Sequence, residues 1–166
     1  MLSVSGRKRT GQISEKAKDK PVVYQINCTY YSALGEDDRA YLLARAIQFF
    51  APGVPQVYYM GLLAGENDYE LMERTDFPRN ISRHNYTMEE IEQNVQRPVV
   101  KELCRLMRLR NEYKAFDGEI LLSDLPDEQL EITRRSGDCE AVLRADLVTK
   151  AFSITCKDAA YNYEGV

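Results

Sequence analysis

The sequence predicts an α/β arrangement up to residue 117 and an all-β arrangement after it. Apolar residues recur at helical spacing over residues 37–51 and again after Pro98, which predicts two amphipathic helices. A short run of β-branched and aromatic residues at 56–60 is typical of a buried parallel strand. Beyond Gly118, short β-prone runs separated by turn residues indicate a distinct antiparallel sheet.

The first helix, residues 37–51, begins at an acidic N-cap, either Asp37 or Asp38, and ends at Pro52-Gly53. After the predicted strand, the sequence becomes polar and loses its period until about Thr87, so we expect a long loop there. Loops of this length in compact proteins are usually either functional or disordered. This loop holds a group of side chains that recognise polar ligands: Arg74, Arg79, Arg83, His84, Tyr69 and Tyr86.

Two further helices follow the loop. Thr87 and Glu90 have the spacing of a capping box, which predicts a short helix to about Val95. Pro98 is suited to the first turn of a second helix that runs to about Tyr113. Four strands are then predicted at residues 119–123, 129–135, 140–146 and 151–156, with a hairpin turn at 136–138.

The composition is that of an ordinary globular protein. Its 166 residues include 22 basic and 26 acidic side chains, giving a net charge of -4, and 44% are hydrophobic. Four cysteines are too few for a small disulfide scaffold. No run of 18 apolar residues occurs, and residues 1–20 lack the apolar core of a secretory signal. We therefore expect a cytoplasmic protein with no membrane partner.

Residues 1–20 form a basic segment, with six basic and two acidic residues and a net charge of +4. The remaining residues carry 16 basic and 24 acidic groups, a net charge of -8. We interpret the segment as a solvated loop or tail. The alternative, a nucleic-acid-binding arm, is disfavoured because no aromatic residue lies among its basic groups and the acidic remainder would repel phosphates.

The sequence contains no recognisable catalytic or metal-binding motif. The cysteines are widely spaced and His84 is the only histidine, so a zinc site is not expected, nor any other metal or cofactor. The adjacent or near-adjacent carboxylates lie where predicted helices begin, and capping explains them better than catalysis. No nucleophile elbow, P-loop, dinucleotide fingerprint or zinc-protease motif occurs.

Long consecutive strings between about residues 23 and 118 carry a family resemblance. The two longest are YQINCTYYSALG at 24–35 and ARAIQFFAPGVPQVYY at 44–59. Further strings lie at 61–68, 79–84, 97–100 and 110–118, with a weaker similarity over 140–152. Together they resemble the sucrose phosphorylase group of the α-amylase-like glycoside hydrolases and transglucosylases.

The resemblance implies the closing elements of a (β/α)8 barrel followed by a small antiparallel β domain. Residues 37–51 would be the seventh barrel helix, residues 56–60 the eighth strand, and the helix from Pro98 would close the barrel. The implied boundaries are a basic loop or tail over residues 1–20, the C-terminal part of the barrel over 21–117 and the β domain over 118–166. The long polar loop would then leave the C-terminal end of a barrel strand, where such enzymes bind substrate.

The resemblance also implies a reaction. The family transfers a glucosyl unit from an α-glucoside such as sucrose to inorganic phosphate with retention, giving α-glucose 1-phosphate. Its Asp nucleophile, Glu acid/base and second Asp all lie upstream of the segment matched here. No catalytic residue is therefore assigned in this chain, which we expect to be inactive alone.

Substrate-binding residues do fall within the matched segment. Tyr24 and Gln25 match the family's acceptor-site loop, and Arg79 matches an arginine that contacts the donor sugar and helps to hold phosphate. Arg83 and His84 are further candidates in the same loop. The structural alternatives are an ion pair for Arg79, ordinary loop packing for Tyr24 and Gln25, and loop-fixing hydrogen bonds for Arg83 and His84.

Two departures from the family pattern bear on specificity. Val22 stands where an acidic residue is usual, and Pro78 stands where a glycine is usual. The acceptor therefore remains open among fructose, fructose phosphate, glycerol and glycerate, and Lys18 and Lys20 favour an anionic one. Three hypotheses follow: a phosphorylase fragment that needs a complementary N-terminal barrel fragment or self-associates, a non-catalytic carbohydrate-binding or partner module, and a nucleic-acid-associated protein.

Overall fold

The computed structural model describes residues 12–15 and 23–164, with residues 12–15 and 23–25 described by their backbone alone. The chain forms two compact units. Unit 1 comprises the described residues up to Asp37 together with Val57–Gln96, and unit 2 comprises Asp38–Gln56 and the chain from Arg97 onward. Lys18, Lys20 and Val22, the positions that bear on acceptor specificity, lie outside the described residues.

The elements follow one another in this order along the described residues. The α-helices are α1 (Tyr30–Ala33), α2 (Asp38–Phe50), α3 (Tyr59–Leu62), α4 (Tyr69–Thr75), α5 (Met88–Asn94) and α6 (Pro98–Glu112). The strands are β1 (Gln12–Glu15), β2 (Val23–Asn27), β3 (Glu119–Leu122), β4 (Gln129–Ser136), β5 (Cys139–Asp146), β6 (Phe152–Cys156) and β7 (Tyr163–Glu164). Short 3-10 helices lie at Pro78–Ser82, Lys114–Asp117 and Ala159–Tyr161.

Unit 1 is built from one hairpin and several short helices. Strands β1 and β2 pair antiparallel, with Ile13 opposite Ile26, so part of the segment expected to be a loop or tail is a strand. The polar stretch after Gly61, expected to be a loop, contains α4 and the 3-10 helix Pro78–Ser82. These elements are too short to show a helical period, because a hydrophobic repeat needs about 11 or more residues to be recognised.

The strand predicted at residues 56–60 is wrong. The backbone from Val54 to Tyr58 belongs to no strand or helix, and Tyr59 begins α3. A parallel strand forms only when neighbouring strands satisfy its backbone groups. Within the described part of the chain no strand pairs with this segment, so its apolar, β-branched composition alone does not produce a strand.

Unit 2 contains the two long helices, and both predictions are confirmed. Helix α2 buries its apolar face, including Leu42 and Phe50, and α6 buries another that includes Leu103 and Leu106. The two helices pack against each other, and α2 also lies against β4 and β5. Phe50 meets Phe116 edge to face, with ring centroids 4.9 Å apart. The helices and the sheet thus share a core.

The sheet of unit 2 is antiparallel with the strand order β3-β4-β5-β6-β7, so the four predicted strands are confirmed. Gly137 has φ 57° at the first central position of the β4–β5 turn, a conformation that favours glycine. Gly118 approaches the β4 backbone so closely that a Cβ atom there would lie 1.8 Å from the carbonyl oxygen of Arg135. Strand β7 was not predicted, because two residues carry no readable alternation.

Among the helices that the structure describes, none has both the length and the apolar character needed to cross a bilayer.

Candidate functional site

Arg79 lies in the 3-10 helix Pro78–Ser82 of unit 1, and its side chain is half-buried. This helix is fixed from two directions. Ile81 is fully buried and its carbonyl oxygen accepts a 2.8 Å hydrogen bond from the backbone N–H of Asp68. Asn80 Nδ2 donates to Thr75 Oγ1 at 2.9 Å. The backbone that carries Arg79 is therefore anchored to both ends of α4, at Asp68 and at Thr75.

Tyr24 and Gln25 lie in β2, where Gln25 is opposite Ser14 of β1. Both strands of this hairpin lie beside the 3-10 helix that carries Arg79. The structure therefore brings the backbone of the three predicted substrate-binding positions into one region of unit 1. Arg83, at the end of the 3-10 helix, has an exposed side chain, and His84 is half-buried.

Asn67 connects the segment after β2 with the start of α4. Its Oδ1 accepts a hydrogen bond from the backbone N–H of Thr29 at 2.8 Å. The backbone N–H of Asn67 donates to Ser32 Oγ at 2.9 Å. Its Nδ2 donates to Tyr69 Oη at 3.2 Å and to Cys28 Sγ at 3.5 Å. The side chain and backbone of this one residue thus position the segment that follows the hairpin.

His84 lies between two carboxylates that each cap a helix. Its Nδ1 is 2.6 Å from Asp68 Oδ2, and its Nε2 is 3.2 Å from Glu90 Oε1. Asp68 Oδ1 accepts from the Leu71 N–H at the start of α4, whereas Glu90 closes the predicted capping box with Thr87 at the start of α5. The hydrogen bonds expected to fix the loop are therefore present at His84.

Electrostatics favour the charged form of all three side chains. The hydrogen bond to Asp68, opposed by partial burial and reinforced by Glu90, raises the pKa of His84 above its usual value. Burial acts to raise the pKa of Asp68, but the Leu71 N–H and His84 outweigh it and the pKa is lowered. The Thr87 N–H, followed by other contacts that include His84, lowers the pKa of Glu90.

Two tyrosines contact His84, one at its ring and one at its backbone oxygen. The Tyr86 ring meets the imidazole edge to face with centroids 4.6 Å apart, and Tyr59 Oη donates to the backbone oxygen of His84 at 3.0 Å. Burial, with Tyr58 and Tyr86 nearby, raises the pKa of Tyr59 to about 12. Tyr59 is therefore a neutral hydrogen-bond donor at physiological pH.

The region contains side chains that are able to hydrogen-bond to a polar ligand. A guanidinium such as that of Arg79 offers several fixed donors to sugar hydroxyls or phosphate oxygens. Among the side chains that the structure describes, no group of three or more His, Cys, Asp or Glu residues has an arrangement that could hold a metal ion. Asn67 and Tyr59 were not singled out from the sequence. Only the position of Asn67 directly before a helix-capping aspartate could have drawn attention to it.

Curated proteins that match this chain include sucrose phosphorylases and related phosphorylases. The chain is 54% identical over 134 residues to a sucrose 6(F)-phosphate phosphorylase of Thermoanaerobacterium thermosaccharolyticum, covering 81% of this chain and 28% of that protein. It is 48% identical over 146 residues to a sucrose phosphorylase of Streptococcus mutans, covering 86% and 30% respectively. The chain therefore spans less than a third of the length of these curated relatives.

A solved structure agrees with the sequence matches. The crystal structure of the sucrose 6F-phosphate phosphorylase from Thermoanaerobacter thermosaccharolyticum superposes with a TM-score of 0.86 at 46% identity, covering 92% of this chain and 33% of that one. No family model matches the chain. On the strength of these relatives, the chain belongs by homology to the sucrose phosphorylase group of glucoside phosphorylases, and it matches one part of their length.

Proposed function

We propose that the chain is the C-terminal portion of a glucoside phosphorylase of the sucrose phosphorylase group. In the complete enzyme it would supply substrate-binding loops to a retaining transfer of glucose from an α-glucoside to inorganic phosphate, giving α-glucose 1-phosphate. The catalytic carboxylates would come from the part of the enzyme that precedes the matched segment. The reaction class is supported by the relatives, which are phosphorylases of sucrose and of sucrose 6(F)-phosphate. The fraction of their length that is matched supports a division of labour between this chain and the part that carries the catalytic carboxylates.

One structural observation carries the binding role. Arg79 is held in a short 3-10 helix by hydrogen bonds at Ile81 and Asn80, beside the strand that carries Tyr24 and Gln25. An arginine on a backbone segment that is fixed in this way loses less backbone conformational entropy on binding than an arginine on a mobile segment does. We propose that Arg79 contacts the donor sugar and the phosphate, that Tyr24 and Gln25 line the acceptor side, and that Arg83 lies at its edge.

The domain assignment follows from the same proposal. Residues 21–117 would be the C-terminal part of the (β/α)8 barrel, with α2 and α6 as outer helices, and residues 118–166 would form the appended β domain. The five-stranded antiparallel sheet is consistent with the second assignment. A complementary N-terminal barrel fragment would be the natural partner of such a chain, and self-association is the alternative.

Complementation tests this proposal. The chain is co-expressed with the preceding part of the T. thermosaccharolyticum relative, and the complex is purified through a tag on that part. Glucose 1-phosphate is then measured with sucrose or sucrose 6(F)-phosphate and inorganic phosphate. We expect activity from the complex and none from the chain alone. Fructose, fructose phosphate, glycerol and glycerate in the reverse reaction identify the acceptor.

Matched arginine variants provide the control. Arg79→Lys keeps the charge but loses the planar fork, so we expect kcat/KM to fall by about tenfold or more, equivalent to about 1.4 kcal/mol. Arg39→Lys, on an exposed position of α2, should leave it unchanged. Phosphorolysis by the pure chain alone would overturn the proposed division of labour. Glucoside binding by the chain alone, with an inactive but correctly assembled complex, would favour the carbohydrate-binding module.

A further inference from the structure

The three side chains Asp68, His84 and Glu90 form a bridge across the loop of unit 1. Asp68 belongs to the start of α4 and Glu90 to the first turn of α5, so the imidazole joins two helix N-termini. Both ring nitrogens lie within hydrogen-bonding distance of a carboxylate oxygen, at 2.6 Å and 3.2 Å. A single residue therefore closes the segment that contains the 3-10 helix of Arg79.

The geometry requires a particular protonation state. An ionised carboxylate accepts hydrogen bonds and cannot donate them, so each ring nitrogen facing one must carry a proton. Only the imidazolium has protons on both nitrogens. A neutral imidazole keeps one bond and turns the lone pair of its other nitrogen toward a carboxylate. Loss of one proton thus converts an attractive contact into a repulsive one.

The other groups around His84 do not replace the missing bond. The Tyr86 ring packs edge to face on the imidazole, and Tyr59 donates to the backbone oxygen of residue 84 and not to its ring. Arg74 acts electrostatically on Asp68, and Arg83 acts on Tyr59. The bridge therefore depends on the charge of His84.

The bridge is connected directly to the helix that carries Arg79. The same Asp68 that contacts His84 also donates its backbone N–H to the carbonyl oxygen of Ile81 at 2.8 Å. The Arg83 N–H donates to the carbonyl oxygen of Asn80 at 3.0 Å, and His84 follows immediately. Movement of the imidazole away from its carboxylates would thus remove a side-chain restraint from the exit of this 3-10 helix, where the hydrogen bond from Tyr59 to the His84 backbone oxygen remains.

We propose that the Asp68–His84–Glu90 bridge is a proton-dependent latch, which holds the Arg79 segment when His84 is charged and loosens it when His84 is neutral. The latch is a property of unit 1 itself. Only its consequence for ligand binding at Arg79 rests on the proposed function.

The direction of the pH dependence follows from the three groups. The pKa of His84 is raised in the folded chain, so its contribution is fully present below the pKa of an unfolded histidine, about 6.5, and is lost as the pH rises through the folded value. The pKa values of Asp68 and Glu90 are lowered, so their contribution is lost only as the pH falls through those lowered values. The latch is therefore closed in mildly acidic solution. It opens when the pH rises above the pKa of His84 in the folded chain.

NMR spectroscopy tests the latch without any assay of activity. The chain has one histidine, so a single pair of ring signals reports its titration. We expect a midpoint above that of a histidine in an unstructured peptide. Through the same pH range, hydrogen exchange at the Asp68, Arg83 and Thr87 amides should rise more steeply than at the Leu143 amide in the sheet.

Isosteric variants separate the charge from the caps. Asp68→Asn and Glu90→Gln keep side-chain oxygens that can cap α4 and α5, but they remove the negative charges that face the imidazole. Each should lower the titration midpoint of His84, and the double variant should lower it further and abolish the extra steepness of exchange. Glu92→Gln, an exposed change on α5, is the matched control and should leave the midpoint unchanged.

Two results would overturn the latch. The first is a His84 midpoint in the native chain equal to that of an unstructured peptide, since the bridge would then be absent. The second is a raised midpoint with amide exchange that follows the sheet control, because the segment would then not respond to the proton. Either result leaves the complementation assay, and hence the proposed function, unaffected.

Discussion

Asn67 joins distant parts of unit 1 through one side chain. Thr29 is a buried residue, and its backbone N–H donates to Asn67 Oδ1. A buried donor without an acceptor costs about 1–3 kcal/mol, which is more than an average hydrogen bond contributes. Asn67 therefore stabilises the segment after β2 mainly by preventing this loss.

Replacement of Asn67 by alanine tests this role. We expect Asn67→Ala to reduce the free energy of unfolding by about 1–3 kcal/mol, because it leaves the Thr29 donor unsatisfied. Chemical denaturation followed by circular dichroism measures the change. Asn111→Ala, at an exposed position of α6, is the matched control, with an expected change within about 0.5 kcal/mol. Equal effects of both variants would contradict the role of Asn67.

The sequence predicted local side-chain interactions better than distant ones. The capping box of Thr87 and Glu90 was predicted because both partners lie within one helical turn. For His84 the sequence left open a ligand contact and a structural role, and the structure places both ring nitrogens on carboxylates. The pairing of Asn67 with Thr29 could not be predicted, because no local pattern encodes which distant segments meet.

At the scale of elements, β3 is an exposed sheet edge. Among the described strands it pairs only with β4, and its Leu122 side chain is 71% exposed. An apolar edge strand presents unpaired backbone groups and hydrophobic side chains, and a second copy of the chain can pair with it. Strand β7, at the other edge, has only two residues and presents far fewer such groups.

A charge on this edge should reduce self-association. We expect Leu122→Lys to lower the association constant of the chain, measured by sedimentation velocity over a range of concentrations, because lysine disfavours edge-to-edge pairing. Val148→Lys is the control, since Val148 is 69% exposed but lies in the turn between β5 and β6. If both variants lowered association equally, general surface hydrophobicity and not the strand edge would be responsible.

Long amphipathic helices and hairpin strands were the elements that the sequence predicted well. Helices α2 and α6 each present one continuous apolar face, and β4 and β5 are joined by a recognisable turn. The wrong prediction at residues 56–60 concerned a parallel strand, whose hydrogen bonds depend entirely on distant neighbours. Composition reports the tendency to form a strand, but pairing decides whether the strand exists.

At the scale of the whole molecule, unit 2 joins helices and sheet around one core. Tyr113, at the end of α6, donates its hydroxyl to the backbone oxygen of Glu140 at 3.2 Å and accepts from the Asp158 N–H at 3.4 Å. The guanidinium carbon of Arg105 in α6 lies 5.2 Å from the ring centroid of Tyr163. Because these contacts join α6 to the sheet, we expect the two to unfold together.

A cavity beneath the buried face of α6 should therefore destabilise the sheet as well as the helix. Leu103 is fully buried, and we expect Leu103→Ala to lower the free energy of unfolding by about 2–5 kcal/mol. Hydrogen exchange should then accelerate in both α6 and β5. Lys101→Ala, on an exposed position of the same helix, should change neither. Faster exchange confined to α6 would show that helix and sheet unfold independently.

The order of the two units along the chain has a consequence for cutting the protein apart. The chain enters unit 2 at Asp38, returns to unit 1 at Val57 and leaves it again at Arg97. A protease cut between Gln96 and Arg97 would separate α2 from α6 in covalent terms while their buried faces remain packed together. We expect such a nicked protein to elute as one particle and to come apart only under denaturing conditions. A sheet expressed without α2 and α6 would expose to solvent the core residues that these helices cover.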